Sequence, residues 1–322
     1  MTTAGRPDGH AWLPASPCTV RACLPADAPA VGPARKAARW TALAAVVATA
    51  LLAAPFVRGT RAAPAAARTL TRGLLRAVGV RLRVGGTRGR ALRRAALVVG
   101  NHTSWLDVAV VAAVRPGRML AKSEIAAYPV LGRLATYGGT LFVEREKLRA
   151  LPGTVATIAD LLRSGSTVVA FPEGSTWCGR SDGPFRNAVF QAALDAAVPV
   201  QPVSVRYRQR GAGAEAPTTV AAFVGEDTLH ASLRRVIASR GLAAEVTLLP
   251  AVPAGTHRSR SALAGAVARA VSATGNLPTP DGPRRWPGEG EGEDLPWRRT
   301  GTTGSTTPRG KEPRRSRPRT PA

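Results

Sequence analysis

The stretch VVGNHTSWLD, residues 98–107, decides the fold, because it joins an apolar run to a helical pattern through a polar turn. The run 95–99 ends at Gly100, as a short buried strand does before a turn. His102 lies in the turn, and Asp107 follows five positions later. A histidine that acts as a general base needs a pKa near neutrality and an orienting partner. Asp107 is placed to hold one ring nitrogen of His102, which leaves the other nitrogen to accept a proton.

The same turn has a second interpretation, which these residues leave open. Asn101 and His102 also suit a turn that caps a helix, with Asp107 accepting hydrogen bonds from the first-turn amides. No GxSxG nucleophile elbow occurs in the chain, so the catalytic interpretation makes a substrate hydroxyl the nucleophile. The backbone amides at the start of the helix after His102 would then stabilise the oxyanion.

Short apolar runs alternate with helical patterns along the chain, and this alternation predicts an α/β sandwich around a largely parallel sheet. Functional sites form outside the carboxyl ends of parallel strands. His102 and Glu173 each follow a predicted strand, so we expect them to share one edge of the sheet. The predicted strands are 96–100, 139–145, 166–173, 198–207, 219–225 and 245–252. The predicted helices are 104–114, 123–136, 148–163, 187–196, 227–239 and 259–273.

The charge of the chain favours an anionic partner. Its 322 residues carry a formal net charge of +25, and every charged residue between Asp27 and Asp107 is Lys or Arg. Nucleic acid and an anionic lipid surface are the two partner classes that such a charge suits. Aromatic residues interleaved with the basic ones, which single-stranded nucleic acid would stack on, are scarce. We therefore expect anionic membrane lipids as partners and no nucleic acid.

Two segments near the N-terminus predict membrane attachment. Residues 40–57 form an uncharged run at the lower length limit for a membrane-spanning helix. The segment 67–79 places arginines and apolar residues on opposite sides of one helix, which suits an anionic membrane interface. A buried core helix followed by a solvated arginine face is the alternative, and spanning or half-insertion is left open. The two sides consist of Arg68, Arg72 and Arg76, and of Leu70, Leu74 and Val78.

The three cysteines, Cys18, Cys23 and Cys178, form no CxxC pair and no even disulfide framework. This pattern favours a reducing, cytosol-facing environment. No P-loop, dinucleotide fingerprint or zinc pattern occurs, and His230 and His257 lack neighbours at metal-ligand spacing. We therefore expect no metal site and no catalytic role for Cys178.

Four blocks of the sequence together resemble the glycerolipid acyltransferase family, of the lysophosphatidic acid acyltransferase type. NHTSWLD, residues 101–107, is similar to the NHx4D block of that family, and GTLFVER, residues 139–145, resembles its GxxFxxR block. FPEG, residues 171–174, matches its third block, and VPVQPV, residues 198–203, resembles its apolar fourth block. The blocks occur in the family order, and the resemblance covers roughly residues 70 to 275.

The resemblance implies an acyltransferase-type αβ sandwich with N-terminal membrane-associated helices. It implies an O-acyltransferase that moves a fatty acyl group from acyl-CoA or acyl carrier protein to a hydroxyl of a lyso-phospholipid, without a cofactor. The expected acceptor is 1-acyl-sn-glycerol 3-phosphate, which would give phosphatidic acid. Lyso-ornithine lipid and glycerol 3-phosphate are alternative acceptors, and a non-catalytic basic membrane-binding protein is the alternative outside enzymology. The expected location is the cell membrane, with the active site facing the cytoplasm.

The resemblance also implies roles for individual residues. His102 would be the general base and Asp107 its orienting carboxylate. Arg145 has a planar fork suited to phosphate, and Glu173, which repels phosphate, would bind a glycerol hydroxyl or hold Arg145. The other expected acceptor-binding residues are Gly174, Gly139 and Phe142.

The chain departs from the family pattern directly after FPEG. The family often continues with Thr-Arg-Ser, whereas this chain reads STWCGR, so Trp177 stands where an arginine is usual. This puts a simple lysophosphatidic acid specificity in doubt. We expect Arg180 or Arg186 to compensate for the missing guanidinium.

Changes in composition divide the chain into four predicted parts. Residues 1–34 and 276–322 are rich in Pro, Gly and Ala or Arg without a sustained period, which predicts a disordered basic arm and a disordered tail. Residues 35–80 are the predicted membrane-associated helical region, and residues 81–275 are the predicted acyltransferase domain.

Overall fold

The computed structural model describes residues 15–86, 95–144, 147–211 and 215–275. Its strands are β1 Arg81–Gly86, β2 Leu97–Gly100, β3 Arg118–Lys122, β4 Leu141–Val143, β5 Val168–Ala170, β6 Val200–Arg210, β7 Glu215–Pro217 and β8 Leu242–Leu248. Its helices are α1 Val20–Cys23, α2 Pro33–Val57, α3 Ala63–Ala77, α4 Leu106–Val114, α5 Leu131–Tyr137, α6 Leu151–Arg163, α7 Ala188–Asp195, α8 Leu229–Ala238 and α9 Arg260–Ser272. Two 3₁₀ turns cover Ser123–Ala127 and Leu148–Ala150.

The strands form one mixed sheet in the order β1-β8-β6-β2-β5-β3-β4, with β7 paired to the far part of β6. The central run from β6 through β2, β5 and β3 to β4 is parallel. β8 pairs antiparallel with β6 and parallel with β1. The predicted α/β class with a largely parallel sheet is therefore confirmed.

Helices cover both faces of the sheet, and strand β2 shows how the two layers arise. Its residues alternate in direction, so Val98 belongs to one apolar cluster, and Leu97 and Val99 belong to the other. The first cluster is closed by α3, α4 and α8, and the second by α6, α7 and α9. All four residues of β2 are buried, as expected for a strand with helices on both faces.

Several element predictions were wrong for identifiable reasons. Residues 219–225 form an irregular buried segment, because an apolar run alone does not distinguish a strand from other buried chain. The predicted helix 123–136 is interrupted around Pro129, because proline has no backbone N–H to donate to the carbonyl one turn earlier in a helix. β1 and β3 were missed. β1 is an edge strand, and its arginines form ion pairs with Glu245 of the neighbouring strand β8 and with Glu215 of β7.

The predicted disordered arm is wrong from residue 15 onward. Cys18 and Cys23 are buried at 2% and 7% exposure, α1 lies between them, and Ala30 forms a β-bridge with Ser239. Residues 1–14 and the predicted tail 276–322 lie outside the described residues.

The predicted helical region 35–80 contains α2 and α3, but it shares its core with the α/β domain. α3 packs against α4 and contributes Leu75 to the first apolar cluster, so its buried side faces protein. α2 has 25 residues and is long and apolar enough to cross a membrane, by length and composition. Only 6% of its most apolar window is buried, so its apolar surface is largely uncovered.

Candidate active site

The site lies at the carboxyl ends of the parallel strands. Val99 of β2 pairs with Ala170 of β5, so the segments that leave these two strands start side by side. The backbone N–H of His102 donates a 2.7 Å hydrogen bond to Oε2 of Glu173. The predicted meeting of these two residues at one edge of the sheet is therefore confirmed.

Asn101 connects the turn to the neighbouring strand β6. Its side-chain Nδ2 donates to the carbonyl of Val205 at 3.0 Å, and its Oδ1 accepts from the backbone N–H of Val205 at 2.9 Å. The amide thus replaces a peptide unit in the sheet and extends the β2–β6 pairing by one position. This contact explains an asparagine directly before His102.

Asp107 is completely buried and accepts four hydrogen bonds. Its Oδ2 accepts from the backbone N–H groups of Thr103 and Ser104, at 2.6 and 2.8 Å, and contacts Nδ1 of His102 at 3.0 Å. Its Oδ1 accepts from the hydroxyl of Tyr207 at 2.6 Å. The two interpretations of this turn are therefore compatible, because the carboxylate that satisfies the turn amides also holds the histidine ring.

His102 is oriented for proton transfer. Because the Asp107 carboxylate accepts from Nδ1, that nitrogen carries the ring proton and Nε2 is the basic nitrogen. The ring stacks on Phe171 with centroids 4.4 Å apart and planes 13° apart. The His102 side chain is 21% exposed, so the ring is fixed on two sides and still open to solvent.

The expectation for the oxyanion donors needs correction. At the start of α4, the backbone amides of Leu106 and Asp107 donate to the hydroxyl and the carbonyl of Ser104. In the turn before the helix, the amides of Thr103 and Ser104 both donate to Asp107 and orient its carboxylate. These four amides are therefore not directed at a reacting carbonyl. The reason is the tight turn, which brings Asp107 back over its own preceding amides.

Tyr207 is a site residue that the sequence interpretation missed. Burial raises the pKa of Tyr207 well above its usual range, and the Asp107 charge and the hydrogen bond to it act in the same direction. The hydroxyl therefore stays protonated and donates to Asp107. A signal was available, because alternation along β6 places Val203, Val205 and Tyr207 on one face of the sheet.

Glu173 is placed differently from the expectation that it binds an acceptor hydroxyl or Arg145. It is 2% exposed, and its two oxygens accept from the backbone N–H groups of His102 and Gly183, at 2.7 and 3.1 Å. Burial raises the pKa of Glu173 well above its usual range, with Asp182 and Asp107 adding to the shift and the two N–H donors opposing it. Glu173 therefore ties the loop after β5 to the turn that carries His102.

The loop 175–183, which we call the FPEG-distal loop, turns Trp177 inward. Trp177 is 8% exposed, and its backbone N–H donates to the carbonyl of His102 at 2.7 Å. A Cβ added to Gly183 would meet the indole Nε1 at 2.1 Å, so glycine permits this packing. Gly174, which precedes the loop, has a φ of 77°, a backbone conformation that favours glycine. Counted from Gly174, the usual arginine position is Thr176 and Trp177 takes the serine position, so the expectation that Trp177 replaces the arginine was wrong by one residue.

The two arginines expected to compensate differ in position. Arg180 donates from Nη1 to the carbonyl of Ala22 at 3.2 Å, so it contacts the N-terminal segment. Arg186 is exposed, and its backbone N–H donates to Pro172. Arg186 is therefore the better placed of the two for an anionic head group.

The GxxFxxR block contributes the edge strand β4. Gly139 has a φ of 69° and lies against the guanidinium of Arg118, so it shapes the entry into the strand. Phe142 is half-buried opposite Ala121 of β3. Arg145 lies outside the described residues. Lys122, which sequence reasoning missed, ends β3 opposite Val143 and adds an exposed cation at the carboxyl edge.

Comparison with known proteins agrees with this geometry. A family model described as Acyltransferase matches residues 81–206. The chain is 32% identical over 204 residues to a 1-acyl-sn-glycerol-3-phosphate acyltransferase of Neisseria meningitidis, which corresponds to 63% of this chain and 78% of that protein. It is 35% identical over 167 residues to a lyso-ornithine lipid O-acyltransferase of Pseudomonas aeruginosa, corresponding to 51% and 62% of the two chains. The match thus spans less than two thirds of the Pseudomonas protein.

The fold also matches a solved structure. The 1-acyl-sn-glycerophosphate acyltransferase PlsC of Thermotoga maritima superposes with a TM-score of 0.53 at 19% identity, covering 75% of this chain and 93% of that one. The sequence matches and this shared fold agree with the four blocks and with the His102–Asp107 geometry. The chain therefore belongs to the glycerolipid acyltransferase family, which includes 1-acyl-sn-glycerol-3-phosphate and lyso-ornithine lipid acyltransferases.

Proposed function

We propose that this chain transfers a fatty acyl group from a thioester to a hydroxyl of a lyso-lipid, with His102 as the general base. The observation that carries the proposal is the 3.0 Å contact between Nδ1 of His102 and the buried Asp107 carboxylate, which leaves Nε2 as the basic nitrogen of a side chain that is 21% exposed. A non-catalytic membrane-binding protein has no use for a histidine oriented in this way.

The proposed reaction is one direct displacement. Nε2 of His102 takes the proton of the acceptor hydroxyl as its oxygen attacks the thioester carbonyl. The new C–O bond forms, the C–S bond breaks, and the proton moves from His102 to the leaving thiolate. Asp107 stabilises the imidazolium between these events, and Tyr207 holds Asp107 in place. The acyl thioester is the only co-substrate in this step, and no cofactor takes part.

The acceptor in this proposal is a lyso-phospholipid, with 1-acyl-sn-glycerol 3-phosphate as the first candidate. The Neisseria relative is named for this acceptor, and the Pseudomonas relative is named for lyso-ornithine lipid. The exposed cations Lys122 and Arg186 at the carboxyl edge, together with Arg145 from the GxxFxxR block, favour an anionic head group. The absence of the usual arginine after FPEG, where the chain has Thr176 followed by the buried Trp177, supports lyso-ornithine lipid as the second acceptor. Acyl-CoA and acyl carrier protein remain the two candidate donors.

We place the enzyme at the cell membrane with its active site toward the cytoplasm. Leu52 and Phe56 of α2 are 73% and 83% exposed, and α2 contacts α5, where Leu131 is also exposed. Arg39, near the start of α2, donates to the carbonyls of Ile237 and Ser239, so this end of α2 is held on the domain. α3 then returns to the domain, and this hairpin favours half-insertion over spanning. Three free cysteines suit a reducing compartment.

Membrane attachment has its own test. Vesicles that contain anionic lipids are expected to capture the wild type, with exposed arginines such as Arg58 and Arg61 contacting head groups. Replacing both Leu52 and Phe56 by Ser should release a large fraction of the protein. Leu151→Ser, at an exposed position of α6, is the matched control and should not release it. Equal capture of all three proteins would contradict this placement.

The catalytic proposal is tested with His102→Ala. The variant and the wild type are assayed in detergent with both donors and with a panel of 1-acyl-sn-glycerol 3-phosphate, lyso-ornithine lipid and glycerol 3-phosphate. Loss of a general base lowers turnover by about 10² to 10⁴-fold. His230→Ala, which removes an exposed histidine from α8, is the control and should retain activity. Near-normal turnover of His102→Ala on every acceptor would overturn the mechanism.

Arg145 provides the test of acceptor recognition. If it binds phosphate, Arg145→Ala should raise KM for a phosphate-bearing lyso-lipid by about 10- to 100-fold, since a charge-assisted hydrogen bond contributes about 1.5 to 3 kcal/mol. Arg145→Lys should recover only part of this, because lysine lacks the planar fork. A smaller effect is expected for lyso-ornithine lipid. Equal KM ratios for both acceptors would make Arg145 structural and leave Lys122 and Arg186 as the phosphate ligands.

A further inference from the structure

Three cysteines that are far apart in the sequence meet in a cluster that the proposed reaction does not use. The Sγ atoms of Cys18, Cys23 and Cys178 all lie within 4.8 Å of one another. The three residues are 2%, 7% and 3% exposed, and they are the only cysteines of the chain. We call this group the thiol cluster.

The geometry of the thiol cluster suits a thiophilic metal ion. In a tetrahedral zinc site with Zn–S bonds of about 2.3 Å, neighbouring sulfurs lie about 3.8 Å apart. The cluster needs only a small contraction to reach this spacing. Its three thiols come from two segments of the chain. Cys18 lies just before α1, Cys23 is the last residue of α1, and Cys178 lies in the FPEG-distal loop.

The surroundings keep the cluster rigid. A Cβ on Gly225 would meet the carbonyl oxygen of Cys18 at 2.9 Å, which indicates close packing of the two backbones. The hydroxyl of Thr219 donates to the carbonyl of Cys23 at 2.6 Å. Trp177 and Val224 pack against the three thiols in the same apolar cluster. A preformed set of ligands loses little conformational entropy when it binds an ion.

The chemistry of three buried thiols in mutual contact suits a metal ion. A thiophilic ion displaces the thiol protons and stabilises the sulfurs as thiolates. Because the three cysteines are almost completely buried, such an ion would be shielded from solvent.

We propose that Cys18, Cys23 and Cys178 bind one thiophilic divalent metal ion, with zinc the chemically favoured ion and a non-protein ligand at the fourth position. The expectation of no metal site rested on the absence of a zinc pattern in the sequence, and the fold brings the three thiols together without such a pattern. The ion would be structural. It would join the N-terminal segment to the FPEG-distal loop, whose Trp177 donates to the carbonyl of His102.

The test measures metal content in the purified full-length chain, prepared in detergent under reducing conditions. Elemental analysis should find about one zinc ion per wild-type chain, as for a structural thiolate site. Cys18→Ser, Cys23→Ser and Cys178→Ser should each reduce the zinc content to background. Val224→Ala is the matched control, because it disturbs the same apolar cluster without removing a ligand, and it should retain the metal.

A second measurement does not depend on the folding of the variants. Chelation of the wild type followed by addition of Co²⁺ should produce thiolate-to-cobalt charge-transfer absorption, and chelation alone should speed proteolysis within residues 15–31. Wild-type protein that contains no zinc and, when reduced, binds neither Zn²⁺ nor Co²⁺ would overturn the proposal. Full metal content in Cys178→Ser would also overturn it, and so would a disulfide found by mass analysis of freshly prepared protein.

Discussion

The catalytic turn, residues 101–107, and the FPEG-distal loop, residues 175–183, lie side by side and are stabilised in different ways. In the turn, Asp107 accepts from four donors, and Asn101 satisfies both polar groups of Val205. In the loop, apolar packing of Trp177 and the thiol cluster dominates. Among the described residues, Ser175 Oγ and Trp177 Nε1 are buried without a hydrogen-bond partner.

The difference matches what each segment holds in place. A proton-transfer group tolerates little displacement, and a buried, fully hydrogen-bonded carboxylate holds it with the required precision. The loop follows the FPEG block, for which the family resemblance implies acceptor binding. Within the loop, the chain departs from the Thr-Arg-Ser that is usual in the family. Glu173 and Trp177 link the two segments. The Glu173 carboxylate accepts from the backbone N–H of His102, and the backbone N–H of Trp177 donates to the carbonyl of His102.

The largest effect is expected from Asp107→Asn. The amide cannot accept from all four donors, and it favours the wrong tautomer of His102, so turnover should fall by about 10² to 10⁴-fold. Unsatisfied buried amides should also lower the free energy of unfolding by about 1 to 3 kcal/mol. Kinetics and thermal unfolding measure both effects. Asp160→Asn, on the exposed surface of α6, is the control, and equal behaviour of the two variants would contradict a special role for the turn.

A smaller effect on turnover is expected from Tyr207→Phe, which removes one of the four donors to Asp107. Loss of a hydrogen bond to a charged group should lower the unfolding free energy by about 1.5 to 3 kcal/mol. Turnover should fall by about tenfold if about 1.4 kcal/mol of orientation is lost from the transition state. KM for the acceptor should not change, because Tyr207 is buried behind Asp107. A change in KM without a change in kcat would place Tyr207 in contact with substrate, and Tyr128→Phe controls for loss of an exposed hydroxyl.

In the loop, Gly183→Ala should disturb packing more than chemistry. The new Cβ would lie 2.1 Å from the indole nitrogen of Trp177, and such overpacking costs about 1 to 3 kcal/mol. We expect a lower unfolding midpoint and a smaller loss of turnover than in Tyr207→Phe. Gly153→Ala, where the added Cβ meets nothing within 4 Å, is the matched control in α6 and should be neutral or stabilising. Equal stability of the two variants would show that Trp177 is not tightly packed.

The smallest effect on turnover is expected from Glu173→Gln, whose signature is a dependence of stability on pH. Burial raises the pKa of Glu173 above its ordinary value of 4.5, so the folded chain binds more protons than the unfolded chain between the two values. Stability contributed by Glu173 is therefore present at acidic pH and falls as the pH rises through this window. The thermal unfolding midpoint of the wild type, minus that of Glu173→Gln, should therefore decrease by a few degrees as the pH rises. A difference that grows with pH would contradict the raised pKa, and Glu226→Gln, at an exposed position, is the control.

Part of this site is predictable because neighbouring residues form it. The turn 101–107 brings His102 and Asp107 together within one short segment, so their contact could be proposed from spacing, and the four family blocks then favoured the catalytic interpretation over helix capping. The strand pattern then places His102 beside the FPEG block, since parallel strands end at one edge. Glu173 was predicted to be near His102, but its role was not, because burial and the Gly183 partner depend on how the loop folds back.

The sequence by itself therefore determined the α/β class, the edge of the sheet that carries the site and the pairing of the base with its carboxylate, because periodicity and short-range spacing are local properties. Only the tertiary structure decided that Tyr207, 100 residues after Asp107, completes the carboxylate's hydrogen bonds, that residues 15–34 are ordered, and that Cys18 and Cys23 meet Cys178. Contacts of this kind depend on how separate elements pack across the sheet. The periodicity or motif of one segment does not indicate which side chains from distant parts of the sequence will pack against that segment.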